Sequence, residues 1–395
     1  MSQEVMIAGA LFSDVPSIRV PDSHGNFHPF TDTSDADASA EDIMQGKTAY
    51  VGGEKIVGAF QPAEPIETEA LTVTENGVYT ASSGHAYTPV TVNVAGGGGG
   101  DATWDEIAER TLSGAATGLA SFVGSNAFNT CSNLSTASFP ACTKIGGYAF
   151  YGCTSLTTVS FPVCTTIGGY AFYSCRSLAT ASFPSCTSID INTFYDCTSL
   201  ATASFPACAK IGGSAFYGCT SLTTVSFPVC TTIGGYAFYS CRSLATASFP
   251  SCTSIGGSAF YGCVSLTTVS FPSCTSIGTS AFYSCRSLAT ASFPAATSIG
   301  SSAFQKCSSL TTASFPAATS IGSYAFRSCT MLTELHLDSV PSVPTLGVSV
   351  FLSTPIGGYS ASARQYGSVF VPASLYESFL TAANWSSIAS RIVSV

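Results

Sequence analysis

Charge is scarce in this chain of 395 residues, with Asp, Glu, Lys and Arg at only 9% of the total. A nucleic-acid partner needs clustered Lys and Arg to neutralise several phosphates, and 13 scattered basic residues do not supply such a cluster. Long apolar runs are missing too. None approaches the roughly 18 residues of a membrane span, so no membrane insertion is expected. Met1-Ser2-Gln3-Glu4 lacks the basic start of a signal peptide, so no export through a secretion channel is expected. Histidine is rare: His24, His28, His85 and His336 are the four, and only His24 and His28 have metal-ligand spacing, in a turn with no third ligand. There are no paired carboxylates, no nucleophile with a base and no phosphate loop. No enzyme activity, metal or cofactor is expected.

What is present is repetition. A 22-residue unit is written about ten times between residues 123 and 338. Its Phe recurs at Phe128, Phe150, Phe172, Phe194, Phe216, Phe238, Phe260, Phe282, Phe304 and Phe326, and a Leu follows six residues later each time. This period is too short for a helix pair and suits one coil of a solenoid. In Leu156-x-x-Val159-x-Phe161, Val159 and Phe161 face one way and Thr158 and Ser160 the other, as in a strand with one buried face. Pro162 ends the strand, Ile167 returns an apolar anchor to the interior, and Gly168-Gly169 allows a tight corner. One coil cannot bury these faces alone. Stacked at about 4.8 Å per rung, ten coils make a rod roughly 48 Å long with a shared core.

The 17 cysteines all lie in the repeats. Ten follow the Phe, from Cys131 to Cys329, and seven occupy a second column from Cys142 to Cys274. There is no C-x-x-C and the count is odd, which disfavours both zinc and a complete disulfide framework. The second column ends in Ala296 and Ala318, and a metal ligand would not be exchanged for a methyl group. The cysteines read as reduced, buried wedges, each with a weak S–H donor to a turn carbonyl.

The pattern Leu156-x-x-Val159-x-Phe161-x-x-Cys164-x-x-Ile167, with A-F-x-x-C upstream and F-P-x-x-T-x-I-G downstream, resembles the BspA-like leucine-rich repeat family from Val123 to about Val343. The resemblance implies an open solenoid with a parallel sheet on one face and a role in surface attachment or binding. The family's usual Ile or Val after the first Leu alternates here between Val (159, 225, 269) and Ala (137, 181, 203, 247, 291, 313), which predicts a thinner core at the Ala rungs, filled by Phe. Residues 144–209 and 210–275 are near copies, as expected of growth by duplication.

Ahead of the repeats the composition changes. Residues 1–110 carry 17 acidic and 4 basic side chains; residues 111–395 carry 5 and 9. Residues 1–60 read as a β-rich module, with strands at Val5–Ala8 and Ser17–Val20, a turn at 21–26, a helical turn, and a hairpin closed by Gly52-Gly53. Its D-T-S-D at 32–35, D-I-x-x-G-K-x-A-Y at 42–50 and G-x-K-I-x-G at 53–58 resemble a short module of tail-associated proteins of bacteriophages and prophages. Residues 61–70 are an acidic linker and 71–95 a small β-hairpin module with an Asn76-Gly77 turn, similar to a spacer in phage structural proteins. Residues 96–100 are a glycine linker, 101–122 an N-terminal cap with a helix at 104–110, 123–343 the solenoid, and 344–395 a C-terminal cap. In that cap Ser368–Val371 reads as a strand and Ala373–Ala383 as a helix with Leu375, Phe379 and Leu380 on one face.

Four columns run along the repeats. The first is a Thr-x-Ser ladder from Thr136 and Ser138 to Thr312 and Ser314. It invites comparison with ice-binding solenoids, but Ser lacks the methyl group and solvent-facing strands favour both residues anyway. The second is Tyr151, Tyr173, Tyr195, Tyr217, Tyr239, Tyr261 and Tyr283, a candidate platform for sugar rings or a protein surface, with packing between coils as the alternative. The third is Tyr148, Tyr170, Tyr236 and Tyr324, exchanged for Ser at 214, 258, 280 and 302. The fourth is Arg176, Arg242 and Arg286, three and two coils apart, placed to meet spaced anionic groups or simply to solubilise. Asp190 and Asp196 share a deviant coil that reads as a local irregularity.

These features predict a leucine-rich-repeat solenoid of about ten coils behind small β-rich modules. The resemblances imply a non-enzymatic attachment protein of a phage tail. Residues 1–95 would meet other tail or baseplate proteins, and the solenoid a host-surface glycan or protein. The setting would be the virion, with a homotrimer by analogy to tail fibres. A bacterial surface adhesin and a virion decoration protein are the competing readings.

Overall fold

The computed structural model describes residues 114–117, 121–358 and 362–395, together with strands at 4–7, 10–13, 18–21, 27–30, 48–51, 54–57 and 93–95. The expected linkers, the helix at 104–110 and the hairpin turn at Asn76-Gly77 lie outside the described residues. In the N-terminal part Thr48–Val51 pairs antiparallel with Glu54–Val57, the register a Gly52-Gly53 loop demands. Ile18–Pro21 pairs in the same way with Phe27–Phe30.

The repeats form a parallel β-solenoid of about 12 coils of roughly 22 residues, slightly more than the sequence suggests. Each coil is hydrogen-bonded to its neighbours on three sides. One side carries short strands such as Thr158–Ser160 and Thr180–Ser182, with Thr and Ser outward. The second carries two-residue strands such as Thr166–Ile167, joined into one unbroken eleven-stranded sheet. The third is the A-F-x-x-C corner, where Tyr148 N–H donates to Gly169 O at 3.0 Å, Phe150 to Ala171 at 2.7 Å and Gly152 to Tyr173 at 2.8 Å. The main chain is thus satisfied without helices, the requirement for burying so much backbone.

The expected single sheet on the T-x-S side is in fact the interrupted one. Its ladder breaks after Thr158–Ser160 and again after Thr268–Ser270. The breaks follow Val159 and Val269, which stay partly exposed, while Val225 and the alanines of this column are buried.

Two phenylalanine ladders fill the interior. Phe150 stacks on Phe172 at 5.1 Å, Phe161 stacks on Phe183 at 5.9 Å, and the ladders meet edge to face, as Phe150 and Phe161 do at 5.9 Å and 65°. Each such contact adds about 0.5–1.5 kcal/mol beyond the area it buries. Tight corners let the coils approach: a Cβ on Gly168 would lie 2.6 Å from the Gly147 nitrogen, so glycine is required there.

The repeat pattern fades after Leu335, yet the solenoid continues. Glu334–His336 is followed in the same parallel sheet by Ser368–Val371 and then Ile392–Ser394. The expected long helix is shorter, with a 3-10 turn at Ala373–Leu375 and an α-helix at Tyr376–Thr381. Phe351 continues the Phe ladder past Phe326, and Trp385 with Phe379 closes it. Trp385 is fully buried, and its indole N–H donates to Pro344 O at 2.7 Å.

Candidate functional site

The A-F-x-x-C corner gathers both tyrosine columns and the arginine column. Tyr151, Tyr173, Tyr195, Tyr217, Tyr239, Tyr261 and Tyr283 form one unbroken stack with ring centroids 4.8, 4.7, 4.4, 4.7, 4.7 and 4.6 Å apart. Each ring is half-buried. Partial burial, reinforced by the neighbouring phenols, raises the pKa of Tyr173, Tyr195 and Tyr239. Lys306 lies over Tyr283 at 5.3 Å and covers the far end of the stack. The ring faces of this column are thus turned to one another.

The third column stands beside it. Tyr148 stacks on Tyr170 at 4.7 Å, and each leans on its neighbour in the long stack at 5.8 Å. Tyr148 is 40% exposed, Tyr236 50% and Tyr324 37%. All four tyrosines have left-handed backbone, with φ of 58, 60, 59 and 61°. The sequence does not disclose this strain. The nearest signal is that the same position holds Asn or Ser in other coils, residues that tolerate or fit such a turn.

The arginines do not act alike. Arg176 forms an ion pair with Asp196 at 2.8 Å, mostly in solvent, a pairing of little energetic weight. Arg242 and Arg286 are exposed and have no ion-pair partner among the described residues. Asp190 Oδ1 accepts from Ile191 N–H at 2.7 Å, and the buried Thr193 hydroxyl donates to Asp190 O at 2.8 Å. The deviant coil therefore satisfies itself locally.

Both cysteine columns match the packing role read from the sequence. None of the 17 cysteines is in a disulfide, and all are buried. The first column donates to the Phe carbonyl of the preceding coil, as Cys175 does to Phe150 at 3.1 Å. The second donates two residues ahead, as Cys164 does to Thr166 O at 3.2 Å. Burial pushes Cys142 up to about 11 and Cys164 up to about 12. These are not nucleophiles.

Among the described residues no group of His, Cys, Asp or Glu is placed to hold a metal ion, and no helix is long and apolar enough to cross a membrane. His336 lies between Glu334 and Asp338, each 3.5 Å from a different ring nitrogen, so the three do not converge on one point.

A parallel solenoid of 22-residue coils with this L-x-x-V-x-F strand is a leucine-rich-repeat scaffold. The chain belongs to the BspA type leucine rich repeat family, whose model matches residues 121–245 and 231–356, more than half of the chain. No curated protein matches it. Among solved structures it is similar to a leucine rich cell surface protein of Faecalibacterium prausnitzii, at 24% identity, 57% of this chain and 77% of that one, TM-score 0.32. A leucine-rich repeat protein of Bacteroides ovatus gives 19% identity, 69% and 87% coverage and a TM-score of 0.34. The pneumococcal vaccine antigen PcpA gives 13% identity, 90% and 98% coverage and a TM-score of 0.33. At such TM-scores the superpositions are loose, and membership rests on the repeats themselves.

Proposed function

We propose that this chain is a non-enzymatic attachment protein whose solenoid binds a glycan or protein on a bacterial surface. The observation that carries this reading is the A-F-x-x-C corner, where exposed tyrosines recur at one position of the coil, at Tyr148, Tyr236 and Tyr324. Weak contacts repeated in this way combine into avidity without a single deep site. A surface so uniform is poorly suited to catalysis, which needs one distinct constellation.

The setting we propose is a phage or prophage tail, supported by the resemblance of residues 32–58 to a module of tail-associated proteins. Residues 1–95 then hold the protein to other tail or baseplate components, as a trimer by analogy with tail fibres. Family membership favours a second reading, a bacterial surface adhesin. Labelled full-length protein mixed with a panel of bacterial cells tests attachment: saturable binding to a few strains is expected, and binding to none overturns it. Mass spectrometry of purified particles and of cell envelopes separates the settings. Recovery in particles supports the tail assignment, and recovery only in envelopes replaces it with the adhesin. Light scattering of the full chain tests the trimer, and a monomeric mass removes it.

A further inference from the structure

We propose that Tyr148, Tyr170, Tyr236 and Tyr324, rather than the long tyrosine stack, are the ligand-contacting rings, and that they take the sugar rings of a neutral glycan. The inference rests on the attachment reading above and names the residues and the ligand class.

Backbone conformation is the first argument. These four tyrosines occupy a position with φ near +60°, where a bulky side chain is disfavoured. In the other coils the same position is Asn126, Asn192, Ser214, Ser258, Ser280 or Ser302. Packing does not explain the exception at Tyr236. It is half exposed, its column neighbours are Ser214 and Ser258, and its one ring contact among the described residues is a tilted one with Tyr239 at 5.8 Å. An exposed aromatic kept on strained backbone points to a ligand.

Accessible ring faces are the second argument. A pyranose packs on the flat face of an aromatic ring. In the Tyr151–Tyr283 column those faces are spent on neighbours at 4.4–4.8 Å. Tyr236 has a serine on each side instead, Tyr148 and Tyr170 cover one face of each other and keep the outer one, and Arg327 lies over Tyr324 at 5.5 Å. From Tyr170 to Tyr236 is three rungs, about 14 Å, and from Tyr236 to Tyr324 four rungs, about 19 Å. The rings thus stand as walls of two stalls. Asn192 and Ser214 lie in the first, and Ser258, Ser280 and Ser302 in the second. The side chains of these five carry no hydrogen bond within the described structure, so their amide and hydroxyls are available to sugar hydroxyls.

Charge and spacing select the occupant. The column from 126 to 324 contains no charged residue, and the Arg327 guanidinium that lies over Tyr324 at 5.5 Å is at its far end, so the stalls suit a neutral ligand. A protein partner would need a contiguous, desolvated cluster of anchors. Here the exposed rings are separated and flanked by hydroxyls, an arrangement that a polymer with repeating sugars can meet several times.

The test uses the full chain, a panel of neutral hexose and N-acetylhexosamine oligosaccharides, and cells treated with periodate or with protease. Binding to one or more oligosaccharides is expected, with loss on periodate-treated cells and retention on protease-treated cells. The triple variant Tyr148→Asn, Tyr236→Asn, Tyr324→Asn should lose at least about tenfold in avidity. Its melting temperature should be equal or higher, because Asn suits the left-handed backbone. Tyr217→Phe in the long stack should bind as the parent does. Cell binding unchanged in the triple variant, or abolished by protease alone, overturns the inference and leaves the attachment reading standing. If the parent binds neither cells nor any oligosaccharide, the attachment reading falls as well.

Discussion

The thiol of Cys175 donates to the main-chain carbonyl of Phe150, one coil earlier, at 3.1 Å. The same carbonyl also accepts the Cys153 N–H at 3.2 Å, so each thiol completes the hydrogen bonding of a buried oxygen between coils. The contact repeats from Cys197 with Phe172 to Cys329 with Phe304. A buried, hydrogen-bonded and protonated thiol is a poor nucleophile. Native protein is therefore expected to leave its thiols unreacted toward a disulfide reagent over minutes, and all 17 to react on unfolding. Fast release of several equivalents from folded protein would contradict the packing.

The same thiols set a limit in alkali. Their ordinary value is 9.0, and burial pushes Cys142, Cys208 and Cys274 up to about 11 and Cys164, Cys186, Cys230 and Cys252 up to about 12. Below pH 9 both folded and unfolded chains keep these protons and stability is fully present. Between pH 9 and 11 the unfolded chain releases them and the folded chain does not. Each such group then removes about 1.4 kcal/mol per pH unit. With many groups acting together, the melting temperature should hold up to about pH 9 and fall steeply above it. A profile flat to pH 11 would show that the thiols are not buried as described.

Much of this was legible from residues. The period, the inward Phe and Leu, the packing role of cysteine and the strand at Ser368–Val371 follow from spacing and alternation. The eleven-stranded sheet does not, because a two-residue strand such as Thr166–Ile167 is too short to alternate. Ile392–Ser394 follows a stretch without repeat spacing, and only stacking on Ser368–Val371 makes it a rung. The tyrosine columns were visible as columns. Which faces they spend on each other depends on rung spacing and backbone handedness, and neither is encoded in a single unit.

Left-handed positions offer a direct test of the corner. Ser240 sits at φ 56° in a column that is glycine at Gly152, Gly218 and Gly262, all with φ near 70°. Ser240→Gly removes the left-handed penalty at the cost of extra unfolded-state entropy, a net gain of about 0.5–1 kcal/mol. Gly234→Ala should act in the opposite sense, because its Cβ would lie 2.6 Å from Gly212 C and Gly213 N in the neighbouring coil. That clash is with backbone and should cost about 2–3 kcal/mol. Thermal melts of the two variants should move in opposite directions.

The arginine column divides into one paired and two unpaired residues. Arg176→Ala removes the Asp196 contact and should cost no more than about 1 kcal/mol. Arg242→Ala and Arg286→Ala should leave the melting temperature unchanged. A neutral glycan in the tyrosine stalls would also leave cell binding by the double variant unchanged, with no steep dependence on salt. Loss of binding in the double variant, relieved in neither buffer nor strain, would assign the column to an anionic ligand instead.

Because each coil touches only its neighbours, removing whole coils should preserve the rest. Deleting residues 210–275 brings Ser276-Ile277 to where Lys210-Ile211 pairs with Ser188-Ile189. Phe282 then stacks on Phe194 as Phe216 does, and Gly278 meets the Asp190 corner as Gly212 does. The shortened chain should fold with the same far-ultraviolet spectrum and melt at a modestly lower temperature, having lost three interfaces but no cap. It should bind the same strains with lower avidity, since Tyr236 leaves with the deleted block while Tyr148, Tyr170 and Tyr324 remain. A shortened chain that aggregates would mean that the coils are not interchangeable. One that folds but loses all binding would place the ligand wholly within the deleted coils.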